Sequence, residues 1–505
     1  MLQDYRKNFN ILDQNNLFDI CIIGSGPAGT ILAKSMVENG LRTIILESGT
    51  NLWGWITDKR IRKMADFEFT GNTDYPHEQT RGILLGGTSN FWTGRCERFH
   101  PSDFDNHPYT PLENPWPITY DELDPYYLKA EKTLRVRGAE RSEYTPPRKE
   151  PFPLQSKLDI SYLKNLFGKA GIIVDVSPTA TPVNSIRFFK VQKEVLLYFS
   201  NNKNLLLITG VSVTKLIPNE NKIIDSAEVI NLEGIRKKVK AKVFVVAGGG
   251  MGTPRLLLLS KSEQFPNGIG NHYDRVGRGF NEHPAVNFYA QISHRLGTLY
   301  PSSKIGRSHQ FYNTYRAEGL GSILPVFRQS WVLPHHNMPF TISNIPRNML
   351  SVIKRFVRAT LYIGVVIEMK ISDSNRVKLS DKFKDHFGNP LAHLNFNYSD
   401  EDLLLLERSR ELVRNMYAKV GAKHIYEAQI TFSRHHQGTC RMGDNPKTSV
   451  VDKNLKIHEC PNLYLVGAET FVTGGSMQPV TTIVALSHRL ADHLINKFNG
   501  DAFNR

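Results

Sequence analysis

LFDICIIGSGPAGTILAKSMVENGLRTIILE, residues 17–47, decides how this chain begins to fold. LFDICII (17–23) is a short aliphatic and aromatic run that ends at glycine, the pattern of a buried strand. GSGPAG follows and sets Gly24, Gly26 and Gly29 in GxGxxG spacing, with Ser25, Pro27 and Ala28 between them. TILAKSMVENG places Ile31, Leu32, Ala33 and Met36 on one side of a helix and closes on Asn39-Gly40. A second strand, RTIIL, ends at Glu47. Each part has a physical task. Gly24 permits the tight turn, Gly26 lets a pyrophosphate approach the backbone, and Gly29 lets helix and strand pack closely. The helix N-terminus offers free N–H groups and a positive dipole end to phosphates. Glu47 is placed to accept hydrogen bonds from ribose hydroxyls, which disfavours a 2′-phosphorylated ribose. Residues 17–47 thus predict a dinucleotide-binding βαβ unit, without choosing between FAD and NAD.

Around this unit the chain is ordinary in composition. Its 505 residues are 40% hydrophobic and 22% charged, enough for a large core in two or three domains. Cys21, Cys96, Cys440 and Cys460 form neither a CxxC pair nor a metal-ligand spacing, so reduced thiols in a cytoplasmic protein and no metal are expected. The first residues, MLQDYRKNFNILDQNN, lack the apolar run of a signal peptide. The best candidate for a membrane span, 352–369, is interrupted by Lys354, Arg355, Arg358 and Glu368. The net charge is +15, without basic runs interleaved with aromatics, so nucleic acid is not an expected partner. From His294 to Thr360, however, nine Lys or Arg residues face the single acid Glu318. A solvated basic face is one reading; an anionic substrate or a peripheral membrane contact is the other. Within it, NMLSVIKRFVRATLYIG interleaves apolar and basic residues as an amphipathic helix would.

Four further blocks resemble the glucose–methanol–choline (GMC) family of flavoenzymes. RGILLGGTSNFWTGR (81–95) is similar to the family's first signature, a loop facing the flavin, which assigns Gly86, Gly87, Thr88, Asn90, Phe91 and Trp92 to the cofactor. VFVVAGGGMGTPRLLLLS (243–260) resembles the second signature and adds Ala247 and Gly248. VGRGFNEHP (276–284) matches the segment that follows. RHHQGTCRMG (434–443) and the stretch 462–494 resemble the C-terminal active-site block, with Gly467 and Ala468 beside the cofactor. The blocks come in family order and span the chain, and the resemblance implies FAD rather than NAD. GGTSNFWTGR is most similar to the pyranose oxidase and sugar dehydrogenase branch. Some members bond the flavin to a histidine in this loop; Phe91 stands there, so FAD is expected to be non-covalent.

The resemblance implies an α/β fold: a Rossmann-like FAD-binding domain under a mostly antiparallel-sheet substrate cap. The expected FAD-binding pieces are 15–100, 190–290 and 430–505, and the cap pieces 101–189 and 291–429. Within the cap, 367–380 alternates like sheet strands, 384–390 is turn-rich, and a helix is capped by Ser399 and ended by Gly421. The implied reaction oxidises an alcohol CH–OH group, most naturally of a sugar or glycoside, with hydride transfer to flavin N5. The base is then His435, three residues before Gly438-Thr439; His436 is its rival, and an extended segment would point only one of them at the flavin. Gln478 occupies the position where relatives carry Asn or His, with one methylene more than Asn. Pro479 suits the first turn of a last helix reaching about Phe498, whose N-terminus would favour charge on the reduced flavin. An FAD-containing lyase, or a flavoprotein without alcohol-oxidising activity, is compatible with the same motifs. The substrate, the electron acceptor and the oligomeric state are not encoded in any motif.

Overall fold

The computed structural model describes the whole chain except residues 1, 5–8, 14–16, 77–79, 181–189, 296–304, 331–357 and 501–505. The opening βαβ unit forms as its pattern requires. Strand β1 (Leu17–Ile23) is buried from Ile20 onward, helix α1 (Pro27–Glu38) follows Gly26, and β2 (Thr43–Glu47) is buried throughout. Apolar side chains on both faces suit a strand covered on both sides, as in parallel sheets. Gly24 takes φ +108°, and a Cβ there would lie 2.5 Å from the Ala247 carbonyl oxygen.

The chain then adds β3 (Leu205–Thr209), β4 (Val211–Pro218), β5 (Ile224–Asn231), β6 (Arg236–Val246) and helix α2 (Gly249–Leu259) to the same sheet. The sheet is eight-stranded: Leu2–Asp4, β3, β2, β1, β6, β5 and β4 in order, with one more strand paired to β6. β3, β2, β1 and β6 pair in parallel, whereas β6–β5–β4 form an antiparallel meander.

A second, antiparallel sheet of six strands covers this domain. Its main strands are β7 (Pro284–Arg295), β8 (Ile323–Ser330) and β9 (Arg358–Ile367); helix α3 (Asp400–Lys419) and β10 (Lys423–Phe432) follow. The order is β10–β7–β9–β8, extended by Ile305–Arg307 and Asp175–Val176. α3 starts in a capping box, Ser399 with Asp402, and Gly421 at φ +67° follows its end. Its buried face, including Leu405, Val413, Met416 and Tyr417, shares one apolar core with the sheet.

Two details depart from the sequence pattern. In 367–380 the alternation suggests sheet strands, and Arg376–Lys384 is one, in a hairpin with Pro390–Asn395, but β9 ends at Ile367 and 368–375 is in no strand. The intervening Asp373 instead takes ion pairs from Arg275 and Arg441. The expected amphipathic helix of the basic segment falls partly in 331–357, outside the described residues; from Arg358 the chain is strand β9, not helix. β-Branched and aromatic residues in RATLYIGVVI explain that outcome, because they fill both faces of a buried strand.

The chain finally returns to the first sheet. β11 (Leu463–Leu465) pairs in parallel with β6, and α4 (Val480–Asn499) packs against α1 and the helix Tyr120–Thr133. Pro479 caps α4 one position ahead of the expected first turn, and its carbonyl accepts the Ile483 N–H at 2.9 Å. Among the described residues no helix is long and apolar enough to cross a membrane.

Candidate active site

The pieces that return to the first sheet enclose a cavity of about 660 Å³. One end is built by Gly24, Ser25, Gly26, Pro27 and Ala28 at the start of α1, with Glu47 from the end of β2. Ala247 and Gly248 from the β6–α2 turn, and Gly87, Thr88, Phe91 and Trp92 from the loop after residue 81, form its sides. Gly467, Ala468, His435, His436 and Gln478 complete the wall. Glu47 is buried and accepts from the Ser25 N–H (3.0 Å), the Ser25 hydroxyl (2.6 Å) and the Gly49 N–H (2.8 Å). Burial raises its pKa against these three hydrogen bonds.

Gly29, Gly86 and Asn90 stand behind the wall instead of lining it. A Cβ on Gly29 would meet the Gly24 carbonyl at 2.1 Å, so this glycine sets the helix–strand approach. Gly86, at φ +88°, donates its N–H to Ser25 Oγ (3.0 Å). Asn90 pins its own loop by donating to the Leu85 and Gly87 carbonyls at 2.9 and 2.8 Å. By contrast, a Cβ on Gly26 or Gly252 would find no atom within 4 Å. A glycine turn facing open space, at the N-terminus of a buried helix and beside a held carboxylate, fits the pyrophosphate and ribose of a dinucleotide.

At the other end the backbone is held in an unusual shape. Arg434 adopts φ +62°, a conformation costly for a side chain with a Cβ. Glu282, fully buried, accepts the N–H groups of Arg434 (2.9 Å) and His435, which fixes this turn. Burial pushes the Glu282 carboxyl up to about 7, with the backbone hydrogen bonds acting the other way. Both His435 and His436 line the cavity. Their partners nevertheless differ. His435 Nδ1 lies 2.9 Å from His283 Nδ1, whereas His436 Nε2 lies 2.5 Å from the Tyr75 hydroxyl within an aromatic cluster. Burial, then the neighbouring His283, His436, Arg307 and Arg95, holds His435 well below its ordinary pKa; burial holds His436 at about 3.

Behind His435 runs a polar chain. Asn281 Nδ2 donates to the Met369 carbonyl (2.8 Å), which turns Asn281 Oδ1 toward Gln437 Nε2 at 3.4 Å. Gln437 Nε2 also lies 2.9 Å from His283 Nε2. Gln478 is nearly buried, and its Oε1 accepts from Arg307 Nη1. Arg307 is in turn 3.0 Å from Glu97 Oε2, both side chains being fully buried. The Gln478 carboxamide therefore keeps its nitrogen for the cavity.

Several of these residues carried no recognised signal in the sequence. Glu282 and His283 sit in NEHP, at the end of the 276–284 block, and act on His435 across 152 positions or more. Glu469, on the cavity wall, is buried and pushed up to about 7; its Oε1 accepts from Thr253 Oγ1 (3.0 Å). Arg95 closes the 81–95 block, whereas Glu97 and Arg307 lie in no motif.

Comparison with known proteins agrees with this architecture. Two family models described as GMC oxidoreductase match residues 184–285 and 372–487. The fructose dehydrogenase large subunit of Gluconobacter japonicus is 27% identical, covering 95% of this chain and 98% of its own. Paromamine 6′-oxidase of Streptomyces fradiae is 26% identical, over 96% and 93%. Among solved structures, pyridoxine 4-oxidase from Mesorbium loti superposes with a TM-score of 0.63 at 20% identity, covering 95% of this chain and 99% of that one. Formate oxidase gives 0.67 at 16%, over 97% and 99%. At those identities the structures speak to the fold alone. With both family models matched in order, relatives aligned along nearly the full length and a cavity shaped for a dinucleotide, the chain belongs to the GMC oxidoreductase family and is an FAD-dependent oxidoreductase.

Proposed function

We propose that this enzyme oxidises an alcohol CH–OH group of a sugar or glycoside, with His435 as the base that takes the hydroxyl proton. The observation that carries this reading is a histidine on the cavity wall whose Nδ1 lies 2.9 Å from His283 Nδ1 and whose pKa burial holds well below the ordinary value. FAD, when bound, supplies the two-electron acceptor for the carbon-bound hydrogen. The chain's own residues do the rest. Gly24–Ala28 and Glu47 hold the dinucleotide portion, while Gly87, Thr88, Trp92, Ala247, Gly248, Gly467 and Ala468 wall the remainder. Phe91 has no atom able to form a histidyl-type bond, so the cofactor is held non-covalently. Gln478, anchored through its oxygen by Arg307, offers its N–H to the substrate oxygen and orients it toward His435. The antiparallel sheet β10–β7–β9–β8 covers the site and excludes water. Sugar and alcohol relatives such as fructose dehydrogenase support this substrate class.

The test is anaerobic mixing of holoenzyme with sugars, glycosides and simple secondary alcohols while following the flavin's visible absorbance. Bleaching by a member of the panel is expected. His435→Ala should retain FAD and slow bleaching about 10²–10⁴-fold, the range for losing a general base. If His436→Ala has that effect and His435→Ala does not, the base is assigned to the wrong ring.

A further inference from the structure

The basic segment 294–360 sends Arg307 and Arg328, besides Arg316, inward. Arg307 is fully buried, and Arg328, on β8, lies 5.2 Å over the Tyr362 ring. They meet Arg95, which lines the cavity with His435 and Gln478, and Arg141, whose Nη2 is 3.2 Å from His309 Nε2. Two carboxylates accompany these four cations. Glu97 pairs with Arg307 and accepts from Ser177 Oγ (2.8 Å); Asp175 is taken up by the N–H and hydroxyl of Ser142 (3.0 and 2.7 Å). The charges do not balance, four guanidinium groups against two carboxylates, although Glu97 Oε2 too is buried without a hydrogen-bond partner among the described residues. Nε of all four arginines, and Nη2 of Arg95 and Arg307, are buried without a hydrogen-bond partner among the described residues. Burial, then repulsion from Arg307 and Arg328, brings Arg95 down to about 9; burial, against Glu97, brings Arg307 down to about 10. Four guanidinium groups collected in a low-dielectric interior with two carboxylates beside them are costly unless a ligand brings negative charge.

We propose that the substrate of this site is an alcohol that also carries an oxyanion, a carboxylate or phosphate, received by Arg95 with Arg307 and Arg328 behind it. The inference rests on the alcohol-oxidation reading and narrows it to sugar acids or sugar phosphates. The pyrophosphate of FAD is accounted for separately, by the glycine turn at the start of α1. Gln478 links the two functions: Arg307 holds its oxygen, so the group that orients the alcohol is mounted on the group that senses the anion.

The experiment compares a neutral alditol, the aldonate of equal chain length and the corresponding alditol phosphate as anaerobic reductants of the holoenzyme. A second arm titrates succinate and inorganic phosphate, which carry no alcohol, against the flavin spectrum. One anionic member is expected to exceed the neutral one by at least about 10-fold in kcat/KM, with an advantage that shrinks as salt rises. Arg95→Gln should lower the anion-to-neutral ratio about 10- to 100-fold, the loss of a charge-assisted hydrogen bond, and Arg95→Lys should restore part of it. Arg328→Gln gives a second reading if Arg95→Gln fails to retain FAD. Equal use of neutral and anionic alcohols, with no spectral change on adding succinate or phosphate, overturns the anion site and leaves alcohol oxidation standing. Anion binding without reduction by any alcohol does the reverse. If Arg95→Gln slows both substrate types equally and shifts the flavin potential, the arginines serve the reduced cofactor and the proposal falls.

Discussion

A neutral imidazole in a cavity wall can give or take a proton, and at His435 the residues behind it decide which. With Gln437 Nε2 facing His283 Nε2, the His283 proton sits on Nδ1 and is donated to His435 Nδ1. His435 then carries its own proton on Nε2 and presents a donor to the cavity. Turning the Gln437 carboxamide by half a turn reverses the chain: Oε1 accepts from His283 Nε2–H, His435 donates from Nδ1, and Nε2 is free to take the alcohol proton. Among the described residues Gln437 Oε1 is buried without a partner in the first arrangement, so the turn gives it one and costs the long contact to Asn281. A pH profile reports this arrangement. Because the pKa of His435 is lowered, its base form persists as pH falls, and the rate of flavin reduction should show no inflection near 6.5; the acid limb lies lower. Gln437→Glu, which can only accept and adds negative charge beside His283, should favour the imidazolium and move that limb up by about one pH unit or more. A limb that stays in place would mean that His283 does not communicate with the base.

The βα turn at the front separates what the fold needs from what the cofactor needs. Gly29 has no room for a methyl group, since its Cβ would lie 2.1 Å from the Gly24 carbonyl, whereas Gly26 faces open space at φ −63°, which alanine adopts freely. Gly29→Ala should therefore lower the melting temperature of the apoprotein, while Gly26→Ala should leave that temperature near the parent's and weaken FAD binding. Equal destabilisation by both would show that the open space does not belong to the cofactor. This element was legible because its evidence is local: a strand, a turn, a helix and a terminal acid within 31 residues. The same holds for α3, whose Ser399 cap and Gly421 stop are both in the sequence. Contacts between distant segments were not legible. His283 meets His435 only because β7 and the 433–443 turn come together, and Glu97 meets Arg307 across 210 positions with no motif at either end. Periodicity also misjudged 368–375, where Asp373 collects two arginines instead of pairing in a ladder.

At the scale of the whole molecule the cavity lies where the returning pieces of the first sheet meet the covering layer, and its wall is rich in groups that need a ligand. Among the described residues Glu469 Oε2 is buried without a partner, and a Cβ on Gly26, Gly249 or Gly252 would find no atom within 4 Å. Filling that space with FAD satisfies polar atoms and removes apolar wall from water, so the holoprotein should be markedly more stable than the apoprotein. Binding to the folded state alone contributes RT ln(1 + [L]/Kd), about 2.7 kcal/mol at a hundredfold excess over Kd. The melting temperature of protein stripped of flavin should accordingly climb with added FAD and keep climbing logarithmically beyond saturation. The same physics predicts how the cofactor leaves. With Phe91 in the loop and no histidyl bond, acid or heat that unfolds the chain should release intact FAD into the filtrate, leaving the precipitate colourless. Yellow colour retained by the precipitated polypeptide would require a covalent link at a residue other than Phe91. A melting temperature indifferent to FAD would mean that the cavity is not closed around the cofactor.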